Sequence, residues 1–200
     1  MAVVSNGTTL IDNGTLDAGV PTGSLILLST QTASSSASLS FTSGIDSTYD
    51  SYVFKFYDIH VSNDDEAFSF QANAVGGADF NETVTNTYFR AVHGEDGSSG
   101  ALAYQTNADQ AQGTANIVLL ANIGNDNDQS GSGYLHLFNP SSTTFVKHFI
   151  ASGNYSSPDN KSYNTYVAGY FNTTSAIDEI RFKMTGGNID AGTIKMYGVG

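Results

Sequence analysis

An alternation with a period of two constrains this chain most. Ile180, Phe182 and Met184 alternate with Arg181 and Lys183, and Ile194 and Met196 alternate with Lys195 and Tyr197. Successive side chains of an extended strand point to opposite faces, so such a segment buries one face and wets the other. Segments 176–184 and 193–199, joined by 185–192, read as a strand pair. Gly200 follows at once, so the pair is expected to close one β domain.

The same period recurs upstream. Tyr52, Phe54 and Phe56 alternate with Val53, Lys55 and Tyr57; Phe68 and Phe70 share a side and are expected to pair back across the polar turn 62–66. Tyr88, Arg90 and Val92 oppose Phe89, Ala91 and His93, and Tyr166, Ala168 and Tyr170 oppose Val167, Gly169 and Phe171. Leu25 to Leu28 and Ile117 to Leu120 are apolar on both faces, the mark of strands buried on two sides. Thr30 to Ser38, rich in Ser, Ala and Thr, reads as a linker or an edge strand. Asn139-Pro140-Ser141-Ser142 between two apolar segments signals a hairpin, since each residue type favours a turn for its own geometric reason. Between Gly94 and Gly113 the pattern fails, and Leu102 to Gln112 reads equally as a short helix or a structured loop.

These segments amount to about ten strands. Abundant Gly, Ser, Thr and Asn, with charged residues at 13%, disfavour helices and supply turns. The expectation is an all-β, antiparallel two-sheet sandwich, jelly-roll-like, spanning residues 24–200 of the 200-residue chain as a single domain. Residues 1–23 echo themselves, Ser5-Asn6-Gly7-Thr8-Thr9-Leu10 and then Asp12-Asn13-Gly14-Thr15-Leu16. With only Val3, Val4, Leu10, Ile11 and Leu16 as large apolar groups they read as an N-terminal arm.

Charge excludes one class of partner. The net charge is −12, and the seven Lys and Arg are scattered, so no phosphate-binding patch is present and no nucleic-acid partner is expected. The longest apolar run, Leu25 to Leu28, falls far short of the roughly 20 residues of a membrane helix. Residues 1–7 lack a charged leader and an apolar stretch, so no export signal is read there. With no cysteine, the fold rests on its core or on oligomerisation.

Asp126-Asn127-Asp128-Gln129-Ser130-Gly131 matches the start of a calcium loop, in which alternate oxygens of Asp126, Asp128 and Ser130 converge and the glycine permits the turn. The twelfth position is Leu137, where an EF-hand needs a bidentate Glu. The segment therefore reads either as an acidic hairpin turn or as a partial calcium site completed by another loop. His60, His93, His136 and His148 stand alone in sequence, without zinc-ligand spacing. No nucleophile elbow, His-Glu-x-x-His pair or phosphate loop is present, and no enzyme or catalytic residue is expected. Tyr155 and Tyr163, with Asp159 and Asn160 between them, form the candidate ligand or partner patch, because aromatic faces stack on sugars or partners while Asp and Asn take hydrogen bonds. Core filling accounts for Tyr166 and Tyr170.

Four blocks together carry a resemblance: 32–41 (TASSSASLSF), 45–54 (IDSTYDSYVF), 135–142 (LHLFNPSS) and 187–199 (GNIDAGTIKMYGV). In combination they resemble β-rich virion structural proteins of tailed bacteriophages, especially marine ones. The resemblance implies a jelly-roll-like fold and a capsid decoration (cement) protein on the outer head surface, clamping major capsid protein subunits as a homotrimer after assembly in the host cytoplasm. Its alternative implication is a tail-fibre or receptor-binding module that recognises a host glycan.

Overall fold

Alternation of aromatic and polar side chains makes residues 51–61 the centre of a sheet. The computed structural model describes residues 2–5, 8–12, 15–16, 25–98 and 100–200. Three short strands, β1 (Val3–Ser5), β2 (Thr8–Asp12) and β3 (Thr15–Leu16), pair among themselves. Ser5 pairs with Thr8 and Asp12 with Thr15, the residues flanking the two Asn-Gly pairs. The expected boundary between arm and domain, at residues 23 and 24, lies outside the described residues.

The domain is a two-sheet antiparallel sandwich. Its strands are β4 (Ile26–Thr32), β5 (Leu39–Phe41), β6 (Ser51–Val61), β7 (Glu66–Ala74), β8 (Val84–Gly94), β9 (Gly100–Tyr104), β10 (Gln110–Gly113), β11 (Ile117–Ile123), β12 (Gly131–Phe138), β13 (Lys147–Ser156), β14 (Lys161–Phe171), β15 (Ile177–Met184) and β16 (Ile189–Val199). A nine-stranded sheet runs β10-β8-β14-β13-β12-β6-β16-β4, with β9 also on β8, and a four-stranded sheet runs β11-β7-β15-β5. The strand number exceeds the sequence expectation partly because residues 100–113 supply two short strands along β8, neither a helix nor a plain loop.

The closing strands are not a hairpin. β15 pairs with β7 and β5, while β16 pairs with β6 and β4, so the chain crosses between sheets at 185–188. The 62–65 turn crosses likewise, and β6 and β7 face each other rather than pair. Each of these strands has one apolar face, and burying both faces together requires stacking the strands, not laying them side by side. The two crossings are tied: Thr185 N donates to Ala67 O at 2.9 Å, Thr185 Oγ1 to Glu66 Oε2 at 2.6 Å, and Asn188 N to Ser62 Oγ at 2.9 Å.

Phenylalanines from both sheets fill the space between. Phe54 and Phe56 of the large sheet meet Phe182 and Phe68 of the small one with ring centres 5.6 and 5.3 Å apart. Phe70 meets Phe149 edge-on at 5.2 Å. All are buried, each contributing about 1.5–3 kcal/mol by leaving water.

The N-terminal strand departs from expectation. Among the described residues β4 pairs with β16 alone, at the sheet edge, and Leu25, Ile26 and Leu27 are 40%, 40% and 52% exposed. A two-sided apolar pattern marks a strand that needs covering, but among the described residues neither a second paired neighbour nor the four-stranded sheet covers these three side chains.

Candidate functional site

The large sheet has nine strands against four in the small one, which leaves the inward face of β8 only partly covered. Val84, Asn86 and Tyr88 on that face are buried, and Arg90 follows two residues on. The strand period thus places an arginine on an inward-facing row, beside the edge of β11. Around it lies a polar cleft in two connected parts, of about 220 and 440 Å³, which share Asp65, Arg90 and Asn122.

The deeper part is lined by Tyr88, Gln105, Asn107 and Thr185 among others, the outer part by Asp64, Asp159 and Tyr163. Arg90 has no ion-pair partner among the described residues. Its guanidinium lies 4.5 Å from the centre of the Tyr163 ring, which stacks on Tyr155 at 5.1 Å, and its Nη1 reaches the Tyr155 hydroxyl at 3.5 Å. A cation over an aromatic face is held electrostatically without neutralising its charge. Burial pushes the hydroxyls of Tyr88 and Tyr155 above the ordinary tyrosine range.

The rim is built from unusual backbone. Asp65 and Asn122 both adopt left-handed conformations, φ 63° and 60°, and the Asn122 amide donates to Asp65 Oδ1 at 2.6 Å. Asn122 sits where the β11–β7 register shifts between Leu120 and Ile123. Such irregularities re-aim side chains and recur at binding sites. Across the cleft, the turn between β13 and β14 presents Asp159, whose carboxylate is held below the ordinary range by Lys161 and Ser157.

The candidate patch read from sequence is rearranged. Tyr155 and Tyr163 are 1% and 9% exposed and serve as floor, whereas Tyr166, assigned to the core, is 40% exposed and stacks on Phe89 outside at 4.9 Å. Two aromatic sets of opposite parity occupy β14, and the inward set is the one continuing to Val167 and Phe171. Asp159 lines the cleft; Asn160 lies on the far side of the same turn with Glu95 and Asp96. Arg90, Tyr88 and Asn122 escaped the sequence reading, although Tyr88 and Arg90 share a strand face.

At 126–131 the turn is organised by Gln129. Its buried side chain donates to Ser157 O at 3.1 Å and accepts from Asp126 N at 3.2 Å, leaving only the exposed carboxylates of Asp126 and Asp128 outside the loop's hydrogen bonding among the described residues. Ser130 N donates instead to Ser156 Oγ at 3.0 Å. Among the described residues no group of three or more His, Cys, Asp or Glu side chains gathers as a metal cage. His136 and His148 share the outer face of β12 and β13, packed on Phe138 and Tyr170 respectively.

Lys55 and Lys195 face each other on that outer surface, each near the partner strand's tyrosine: Lys55 5.6 Å from Tyr197 and Lys195 5.7 Å from Tyr57. Cross-strand pairing continues the row through Tyr134, Ser152, Tyr166, Phe89 and Tyr104.

No family model matches this chain, and no curated protein matches it. A crystal structure of a structural-genomics protein of unknown function from Bacteroides ovatus is similar over 50% of this chain and 45% of its own, with 6% identity and a TM-score of 0.28. The chain thus spans about half the length of that protein.

Proposed function

We propose that this protein is a non-enzymatic virion surface protein of a tailed bacteriophage, a capsid decoration protein that binds assembled major capsid protein as a homotrimer. One observation carries the reading. Three of the four blocks of phage-protein resemblance, far apart in sequence, come together: 51–54 on β6, 135–138 on β12 and 189–199 on β16, with β12-β6-β16 consecutive neighbours in one sheet, while the fourth runs from Thr32 at the end of β4 to β5 of the other sheet. The resemblance is therefore concentrated at the centre of the large sheet. The outer face there carries Lys195 within the blocks and Lys55, Tyr57 and Tyr134 directly beside them, with Tyr57 and Tyr134 39% and 43% exposed. A broad face of tyrosine and lysine suits attachment to another protein surface. Contacts made only to the assembled lattice stabilise that lattice by mass action.

The alternative, a tail-fibre or receptor-binding module, is favoured by the polar cleft around Arg90. Copy number separates the two. Purified protein is added to particles lacking it and sedimented with them; a decoration protein attaches at hundreds of copies per head and scatters light as a trimer in solution. Attachment in tens at the tail would favour the alternative, and failure to attach, with a monomer in solution, would overturn both.

A further inference from the structure

We propose that the cleft between β8 and β11 is a binding site for a carboxylate-bearing sugar, such as a hexuronic acid. The inference goes beyond the virion reading and stands wherever the protein is placed.

Two observations point to the ligand. Tyr88 lines the deep part of the cleft, and its hydroxyl, fully buried near Ala121 and Thr165, makes no hydrogen bond of ordinary geometry in the protein. A buried hydroxyl without a partner costs free energy comparable to a lost hydrogen bond, and a ligand oxygen there removes that cost. Arg90, two residues along the same face, carries a charge with no counter-ion among the described residues. An arginine fork with an adjacent hydroxyl donor matches the two oxygens of a carboxylate.

The outer part selects the rest of the molecule. Asp64, Asp65 and Asp159 surround the mouth, and a carboxylate is an acceptor that takes hydrogen bonds from hydroxyls. A compact anion such as phosphate would bring up to two negative charges and only one or two hydroxyl donors to this acidic rim. A sugar acid carries one carboxylate for Arg90 and Tyr88 and several hydroxyls for the rim. Asn107 and Gln105 flank the deep part with carboxamides that both donate and accept. The rim is fixed in advance by the Asn122–Asp65 bond, which lowers the ordering cost of binding.

The test is a titration of the whole protein by heteronuclear NMR and calorimetry with D-glucuronate, D-galacturonate, D-glucose and inorganic phosphate. The uronates are expected to perturb amides of residues 88–90, 105–108 and 122, and to bind at least about tenfold more tightly than glucose or phosphate. Arg90→Gln is expected to abolish that preference, and Arg90→Lys to retain part of it. Tyr88→Phe keeps the ring and removes an unpartnered hydroxyl, so it is expected to melt at or above the parent temperature while weakening uronate binding about threefold to tenfold. Equal affinity for glucose and the uronates, perturbations elsewhere on the protein, or uronate binding unaltered in both Tyr88→Phe and Arg90→Gln would overturn the proposal.

Discussion

Gly133 and Gly153 face each other across β12 and β13, and the absence of both side chains makes the floor on which Phe56 lies. A Cβ on Gly133 would stand 2.4 Å from Ser152 O and 2.6 Å from Gly153 Cα, backbone atoms that cannot yield. On Gly153 the nearest atom is Leu120 Cδ2 at 2.6 Å, the end of a movable side chain. Gly133→Ala is therefore expected to destabilise by about 2–3 kcal/mol and Gly153→Ala by about 1–2 kcal/mol. Urea denaturation of both variants checks the order, and an equal or reversed cost would contradict it.

Gln71 is a buried staple. Its Nε2 lies 3.1, 3.2 and 3.0 Å from the carbonyl oxygens of Glu82, Thr114 and Ala115, tying two loops to β7. Gln71→Leu keeps the volume and strands the carbonyls of Glu82 and Thr114, while Ala115 O keeps Gln110 Nε2 at 3.1 Å, so a loss of about 2–3 kcal/mol is expected. Hydrogen exchange should quicken at 113–116 before the rest of the domain, and uniform protection there would count against the staple.

His136 gives a pH signature. Its Nε2 lies 2.8 Å from Ser51 Oγ, and burial holds its pKa below the ordinary 6.5. In the window below 6.5 the unfolded chain binds more protons than the folded one, so stability rises with pH through that window and levels off above it. Melting is expected at lower temperature at about pH 5.5 than at about pH 7.5, and His136→Gln should flatten that slope. An unchanged slope in the variant would assign it to other groups.

Lys147 is fully buried, with Thr173 O at 3.1 Å as its hydrogen-bond acceptor and no ion pair among the described residues. Burial pushes its pKa down, a sign that the charge is poorly accommodated. Lys147→Met is expected to leave stability unchanged or to raise it by about 1 kcal/mol, because a hydrophobic isostere sheds the desolvation cost. A clear loss in chemical denaturation would show that the bond to Thr173 outweighs that cost.

Period-two alternation made the all-β class, the hairpin at Asn139-Pro140 and most strand positions legible. It assigns side chains to faces but says nothing about which strand lies alongside. That is why residues 177–184 and 189–199, adjacent in sequence and alike in pattern, read as partners although they belong to different sheets. Nor does parity say which face is inward when both carry aromatics, as in 163–171, and Tyr166 and Tyr163 exchanged roles for that reason. Arg90 was hidden by the same ambiguity: an arginine alternating with Phe89 looks like the wet side of a strand. It faces inward because the uneven widths of the sheets, a property of the whole chain, leave room there.

The crossing of β15 to β16 between sheets also governs how the polypeptide can be made. Among the described residues β16 is the one strand that β4 pairs with, and Thr32 meets Thr193 across 161 positions of sequence. While a ribosome has yet to release residues 189–199, β6 lacks one neighbour and β4 lacks the strand it pairs with. Both sheets thus depend on contacts between segments remote in the chain, the arrangement that closes slowly because loop entropy is lost before pairing compensates. Until then β4 offers Leu25, Ile26 and Leu27 beside an unpaired edge, so nascent chains on one polysome are the setting in which this protein is most exposed to pairing with its own copies.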